Sequence, residues 1–351
     1  MPGETMTPRE RWLAVLMRQK PDRVPMDYWA TLETTDILRE YLGCATTEEM
    51  LRKLHVDYVV KVEPVYAGPP LAPGTDVFGC RFRRVDYAAG VYDECIHSPL
   101  AGYHSPEEVE RSYRWPDPDW WDYTDIPRQV RGKEGYPIRG GGSEPFLIYK
   151  NLRGQEQAFL DLIESPEMAH YCLDRLFGLA YENTVRIYER IPGKVMLSYV
   201  SEDMGGQNSL LFSPAHIREF LLPGMKRMIE LARQAGAFVF HHNDGNCRPI
   251  IPDLIEAGID VLNPVQWRGT GMDRRELKQS FGNRIIFHGA MDNQHTLPFG
   301  SRDEVRREVE DNLRILGQRG GYILAPCHNI QPITPPENIV EMYEAGYEYG
   351  A

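Results

Sequence analysis

An imidazole and a carboxylate stand two residues apart where an apolar run turns polar, in Gly236-Ala237-Phe238-Val239-Phe240-His241-His242-Asn243-Asp244-Gly245-Asn246. Side chains two apart on a strand share a face. His242 and Asp244 therefore project to one side and His241 to the other. Such a pair could hold a metal or share a proton. Other polar groups also close apolar runs: Glu202 and Asp203, Asn263 and Gln266, His288 and Asp292, Cys327 and His328. His242, Asp244 and His328 together supply two imidazoles and one carboxylate. That set suits zinc with one position open for substrate, and equally non-haem iron(II). Cys327, beside His328, could replace or assist it. The same residues also fit a metal-free pocket in which His242 and Asp244 satisfy each other.

The elements that must position these groups read as alternating strands and helices. Thr7-Pro8-Arg9-Glu10 carries a cap, a first-turn proline and an acid three after the cap, predicting a helix through Trp12, Val15 and Leu16. A short strand follows over 24–29, then helices near 34–42 and 46–54, and a β-branched strand over 56–62. Residues 64–104 have no helical period and hold Gly74, Asp76, Gly79, Tyr87, Gly90 and Tyr92. They read as an antiparallel hairpin inserted after the second strand. Ser105-Pro106-Glu107-Glu108 is a further cap. Trp115-Pro116-Asp117-Pro118-Asp119-Trp120-Trp121 is extended, and its tryptophans either line a ligand mouth or pack the loop down. Residues 124–133 look helical. Gly140-Gly141-Gly142-Ser143 reads as a flexible turn near a third strand, serving close backbone approach or, on weaker grounds, a phosphate cradle.

Helices fill 151–191, broken at Glu164-Ser165-Pro166-Glu167. A strand over 194–200 leads to a long helix from Ser213-Pro214 to about Gln234. Beyond 246 the alternation is regular, with helices over 247–257, 272–280, 301–316 and from Pro335 to Tyr349, and strands over 259–264, 284–288 and 321–325. Eight strands at this spacing predict an α/β fold, a (β/α)8 TIM barrel, as one domain over 1–351 with the 64–104 hairpin insertion and extra N-terminal helices. In such a barrel the polar strand ends meet at one mouth. An open doubly wound sheet fits less well, because no glycine-rich dinucleotide fingerprint follows the first strand.

Composition narrows the function. Of 351 residues 42% are hydrophobic, enough for a full core, and 39 basic against 51 acidic residues give a net charge of -12. That balance argues against a nucleic-acid partner. No apolar run reaches the roughly 18 residues that a membrane span needs. Met1-Pro2-Gly3-Glu4-Thr5-Met6 lacks a basic patch and an apolar stretch, so no signal peptide and a cytoplasmic location are expected. None of the six cysteines forms a CxxC pair. Disulfides are not expected in that setting, and Cys44, Cys80, Cys95 and Cys172 read as small core residues.

Motifs across nearly the whole chain resemble the uroporphyrinogen decarboxylase superfamily, in particular its methyltransferase-like branch. They are Asp76-Val77-Phe78-Gly79-Cys80, Trp115-Pro116-Asp117-Pro118, Glu202-Asp203-Met204-Gly205-Gly206-Gln207-Asn208, Ser213-Pro214, His242-Asn243-Asp244-Gly245, Leu262-Asn263-Pro264-Val265-Gln266, Ala325-Pro326-Cys327-His328-Asn329-Ile330-Gln331 and Pro335-Pro336-Glu337-Asn338. The resemblance implies a TIM barrel and one of two chemistries. The decarboxylases are cofactor-free and hold substrate propionates with arginines of a Met-Arg-Gln-Ala-Gly-Arg motif. The matching place here is Pro25-Met26-Asp27-Tyr28-Trp29-Ala30, without arginine. Met17-Arg18-Gln19-Lys20 matches that motif only in part, because it closes a helix and lacks Gly-Arg.

The methyltransferases move a methyl group between a corrinoid protein and a thiol or methylated compound, using zinc on His-x-Cys-Gly and a distant Ala-Pro-Gly-Cys. Here Asp244 takes the first cysteine's place and His328 the second's, with Cys327 one residue early. Harder ligands suit Lewis-acid work on an ether or amine. Relatives that use Glu and His make Glu202 and Glu219 alternates to Asp244. The resemblance thus implies a corrinoid-dependent methyltransferase or demethylase for a small methoxylated or N-methylated compound, with zinc or another divalent metal on His242, Asp244 and His328. A partner protein would supply the corrinoid (cobalamin). Glu202, Asp203 and His288 would move protons, and Tyr28, Asn263 and Gln266 would position substrate. A homodimer is compatible with the sequence. The rivals are a metal-free decarboxylase working through Asp27 or Asp203, and a barrel that binds without catalysis.

Overall fold

The computed structural model describes residues 4–87 and 90–351. Part of the leader reading over 1–6, at 1–3, and the hairpin tip at 88–89 lie outside the described residues. Seven parallel strands run in the order β1 (Val60–Val62), β2 (Ile138–Ser143), β3 (Leu197–Val200), β4 (Phe238–His242), β5 (Val261–Asn263), β6 (Ile286–Met291) and β7 (Tyr322–Pro326). Sequence neighbours are spatial neighbours throughout, each joined by a crossover that contains a helix, as parallel pairing requires. The extended segment 24–30 takes the eighth place. Met26 bridges Leu324 of β7, and its carbonyl accepts from the Asp57 amide at 2.7 Å, just before β1. The ring is thereby closed, and the chain is an α/β (β/α)8 barrel. The predicted first strand survives as these few bonds rather than as a continuous ladder. β6 and β7 are buried along their whole length, as strands covered on both sides must be.

The barrel floor is sealed by α1 (Pro8–Leu16), whose Thr7/Glu10 capping box forms as predicted. Its Trp12, Val15 and Leu16 form one apolar cluster with Met196, Leu197, Phe240, Val261, Ile286 and Ile323. The indole NH of Trp12 donates to the Asp57 carbonyl at 2.8 Å. Beneath it lies a buried ionic knot. Asp57 is paired with both Arg11 and Arg23, the latter at 2.7 Å, and accepts the Met26 amide at 3.0 Å. Arg11 also holds Asp22 at 2.6 Å.

Several local expectations change. Gly140, Gly141 and Gly142 lie inside β2 rather than in a turn. The register against β3 shifts between Arg139 and Gly142. Gly142 has φ 128°, and a Cβ there would stand 1.8 Å from the Tyr199 carbonyl oxygen. Close approach is thus the reason for the glycine. The helix foreseen over 124–133 shortens to Ile126–Gln129, because the chain turns at Gly132, φ 74°. The helix foreseen from 213 to 234 passes through a π turn at Ile217–Leu221 before Leu222–Gln234. Pro223 lacks an amide hydrogen, and a wider turn accommodates that gap. The insertion does form a hairpin, Arg81–Tyr87 against Gly90–His97. Of the three loop tryptophans, Trp121 lines a cavity, whereas Trp115 packs on Tyr113 and Tyr171.

Candidate active site

The ends of β3 and β4 bring Asp203, His242 and Asp244 together, with one ligand atom of each lying within 4.8 Å of the others. His242 Nε2 stands 3.7 Å from Asp203 Oδ1 and 3.7 Å from Asp244 Oδ1. The strand alternation behind this is visible at His241, which turns away and bonds the Val200 carbonyl at 2.7 Å. Two glycines let the two loops touch. A Cβ on Gly205 would meet the Asp244 carbonyl oxygen at 2.4 Å, and one on Gly245, φ 73°, would meet that of Gly206 at 2.5 Å. The Asp244 amide donates to Asp203 at 3.0 Å, so the Asp203 carboxylate is located by the loop that carries Asp244.

A buried relay orients the imidazole. His242 Nδ1 bonds Asn263 Oδ1 at 2.6 Å, Asn263 Nδ2 bonds His288 Nδ1 at 2.7 Å, and His288 Nε2 bonds Asp27 Oδ2 at 3.0 Å. The Asp27 carboxylate only accepts, so the hydrogen of neutral His288 lies on Nε2. His288 Nδ1 must then accept from the Asn263 amide, whose oxygen is left to accept from His242 Nδ1. The remaining nitrogen, His242 Nε2, therefore presents a lone pair toward two carboxylates. Three acceptors facing one point fit a divalent cation, and the outer partners fix the tautomer as they do for metal-binding histidines. Replacing Asn263 by Leu should weaken zinc affinity by about 10- to 100-fold, measured by competition with a chromophoric chelator. Unchanged affinity would contradict the relay.

Acidity around the group is unbalanced. Glu202 is pushed well above the usual carboxylate range, chiefly by burial, with Glu144 and Asp203 adding negative charge. Glu144 is raised by burial and by Asp203, although the Ser201 hydroxyl donates to it at 2.9 Å. Burial also raises Asp244, against His242 and His328. Protons or a cation must offset this concentration of carboxylates.

The predicted residues divide into those at the group and those set apart. His328 stands at the edge: its Nε2 is 3.6 Å from Asp244 Oδ2, its side chain is 43% exposed, and its ring lies 6.4 Å from that of His242. The three side chains that lie mutually close are Asp203, His242 and Asp244, with His328 next to them on the Asp244 side. Cys327 is buried with its thiol on the Val265 carbonyl at 3.2 Å, and burial holds that thiol protonated. Glu202 is 1% exposed and spends both oxygens on the Phe146 amide, at 3.2 Å each. Glu219 lies on the outer π turn, 3.2 Å from His170, because that turn belongs to the helical layer. His288 and Asn263 are relay members rather than groups open to substrate. Gln266 donates to Asp244 at 3.1 Å and accepts the Gly245 amide at 2.7 Å, so it steadies a carboxylate. Asp292 is tied to Arg268 at 2.5 Å.

Beside the group opens a cavity of about 1010 Å³ whose wall includes Tyr28, Trp29, Tyr199, Phe240 and Glu144. Tyr28 lines it, with its hydroxyl 3.1 Å from Thr35. Glu144 is the residue that spacing did not reveal. Its signal was a carboxylate held between a glycine-rich strand and the first-turn proline of the helix Pro145–Arg153.

Residues 123–349 match the family model described as uroporphyrinogen decarboxylase (URO-D). Similar curated proteins include the uroporphyrinogen decarboxylase of Legionella pneumophila, 26% identical over 217 residues, covering 61% of this chain and 54% of that one. That of Thermus thermophilus is 26% identical over 224 residues, covering 62% and 56%. The chain thus spans about half the length of the curated relatives it matches. Among solved structures, a methyltransferase from Methanosarcina mazei aligns over 98% of this chain and 99% of that one, with TM-score 0.68 and 20% identity. The two share the fold.

Proposed function

Because the chain belongs to the uroporphyrinogen decarboxylase family, we propose that it is an enzyme of that family's methyltransferase-like branch, moving a methyl group from a small methoxylated or N-methylated compound to a corrinoid carried by a partner protein. The observation that carries this reading is the convergence of Asp203, His242 and Asp244 beside an aromatic-walled cavity. Those three residues would hold zinc or another divalent cation. When bound it would supply a Lewis acid for the heteroatom that loses the methyl group.

The chain's own groups would do the rest. The relay from Asp27 through His288 and Asn263 keeps the lone pair of His242 Nε2 aimed at the two carboxylates. Gln266 holds the Asp244 carboxylate from behind. Glu144 would carry the proton that the departing oxygen or nitrogen requires, since burial keeps its carboxyl protonated to higher pH than an exposed glutamate. This moves the proton role from Glu202 and His288 to a residue on the cavity wall.

The second reading is the decarboxylase chemistry named for the curated relatives. It is favoured by Asp27, which also lines the cavity. Methyl transfer from a panel of methoxyarenes and methylamines to free Co(I) corrinoid, with product carbon dioxide followed in parallel, decides between the two. Methyl transfer lost on chelation and restored by zinc supports the first reading. Carbon dioxide release unaffected by chelation would replace it with the second.

The acidity of the group sets a pH expectation. Glu144, Glu202 and Asp244 have folded-state values raised from 4.5, 4.5 and 3.8. A raised carboxyl removes stability as pH climbs from its unfolded value through its folded one. A cation needs the ionised forms, so it binds best where the metal-free fold is most penalised. The difference in melting temperature between zinc-loaded and chelated protein should therefore widen from about pH 5 to pH 8. Parallel melting curves across that range would count against a cation on these carboxylates.

A further inference from the structure

We infer that the cavity takes a carboxylate-bearing aromatic compound, its carboxylate anchored on Arg139 and its methylated heteroatom turned toward Glu144. This names the substrate class of the methyl-transfer reading and rests on it. Arg139 stands on β2 and lines the cavity, half withdrawn from water. Its Cζ lies 4.8 Å from the centroid of the Tyr199 ring. Among the described residues no carboxylate lies within 4.0 Å of its nitrogens and its guanidinium donates no hydrogen bond. The other cation on the wall, Lys61, is neutralised by Glu63 at 2.5 Å. The deeper arginines Arg11, Arg23 and Arg153 all have aspartate partners. Arg139 is therefore a cation left for something that enters.

The guanidinium fork matches a carboxylate or a phosphate through two parallel hydrogen bonds. The surroundings favour the carboxylate. A phosphate would bring a second negative charge toward Glu144, with no second free cation on the wall to offset it. A carboxylate neutralises Arg139 alone. The rest of the wall selects a flat ring, since Trp29, Tyr58, Trp121 and Phe240 line the same space and favour stacking. Tyr199 joins the two ends of the site. Its ring has Arg139, the Phe240 ring at 6.1 Å and the His242 ring, stacked at 5.9 Å, among its neighbours. A ring anchored on Arg139 thus shares Tyr199 with the His242 imidazole, which is the link from the anchor to the acceptor group.

The test is equilibrium binding of 4-methoxybenzoate and of uncharged methoxybenzene to the full chain, by calorimetry and without corrinoid. The acid should bind tighter than the neutral compound. Arg139→Met should weaken the acid by about 10- to 100-fold and leave methoxybenzene unchanged, and Arg139→Lys should recover part of the loss. Equal affinity of the acid for the native chain and for Arg139→Met, or displacement of the acid by millimolar inorganic phosphate, would overturn the assignment. Because binding is read alone, absent methyl transfer would count against the proposed reaction and leave the anchor standing. Transfer from methoxybenzene as fast as from the acid, undiminished in Arg139→Met, would remove the anchor and leave the reaction standing.

Discussion

His242→Ala is expected to lower methyl transfer by about 10³-fold, with zinc content falling well below one ion per chain. The imidazole is the neutral member of a three-acceptor group, and its loss leaves two carboxylates 41 residues apart in sequence, Asp203 and Asp244, facing each other without a mediator. A Lewis acid contributes several kcal/mol to such a barrier, and each 1.36 kcal/mol is about tenfold in rate. Asp203→Asn should approach the same loss. His328→Ala should cost less than about tenfold, because its half-exposed ring stands at the margin of the group. Steady-state rates on one methoxylated substrate, with metal analysis of each variant, rank the three. A ranking in which His328 outweighs Asp203 would favour the set His242, Asp244 and His328 over Asp203, His242 and Asp244. A cooperative melt near that of the native chain separates loss of chemistry from loss of fold.

The second large effect is structural. Asp57→Ala is expected to destabilise the protein by about 3–5 kcal/mol, the usual result of removing one partner of a buried charge pair. The carboxylate serves Arg11, Arg23 and the Met26 amide together. Its removal leaves Arg11 with Asp22 and Arg23 with the half-exposed Glu4 in place of a carboxylate they share, and loosens the contact between segment 24–30 and β1. Urea unfolding followed by circular dichroism gives the loss directly. A change under about 1 kcal/mol would mean that water reaches the knot and solvates the arginines.

Much of the barrel could be read from the residue pattern because parallel strands covered on both sides are continuous apolar runs, and such runs end abruptly in polar residues at the mouth. That is how Asp203, His242 and Asp244 came into view as neighbours. The third member of the group was harder to read. His328 and Asp203 both close strands, and which one faces His242 depends on loop paths held by Gly205 and Gly245. The relay was hidden for a different reason. Asn263 and His288 lie on separate strands, and their bonding depends on a carboxylate at position 27, at the far end of the chain. Arg139 escaped notice because it sits within a strand rather than at its end, pointing into a cavity that no periodicity announces. The glycines after it looked like a turn, although they serve the tight crossing of β2 with β3. The first strand was recognised as extended, but its few bridges reflect a segment held more by Asp57 and β7 than by a full ladder.

The floor of the barrel has a consequence for how the molecule comes together. Trp12 rests against side chains that follow it by almost the whole chain, as far as Ile323, and Met26 finds its bridge at Leu324. Contacts between such distant positions slow folding, because a long loop must close before either end is rewarded. During synthesis the apolar face of the helix Pro8–Leu16 gains its first strand partners only at Met196 and Leu197 and its last only when the seventh strand has left the ribosome. This helix precedes every strand it packs on, so its place is completed late, and a growing chain must shield part of a tryptophan face until then.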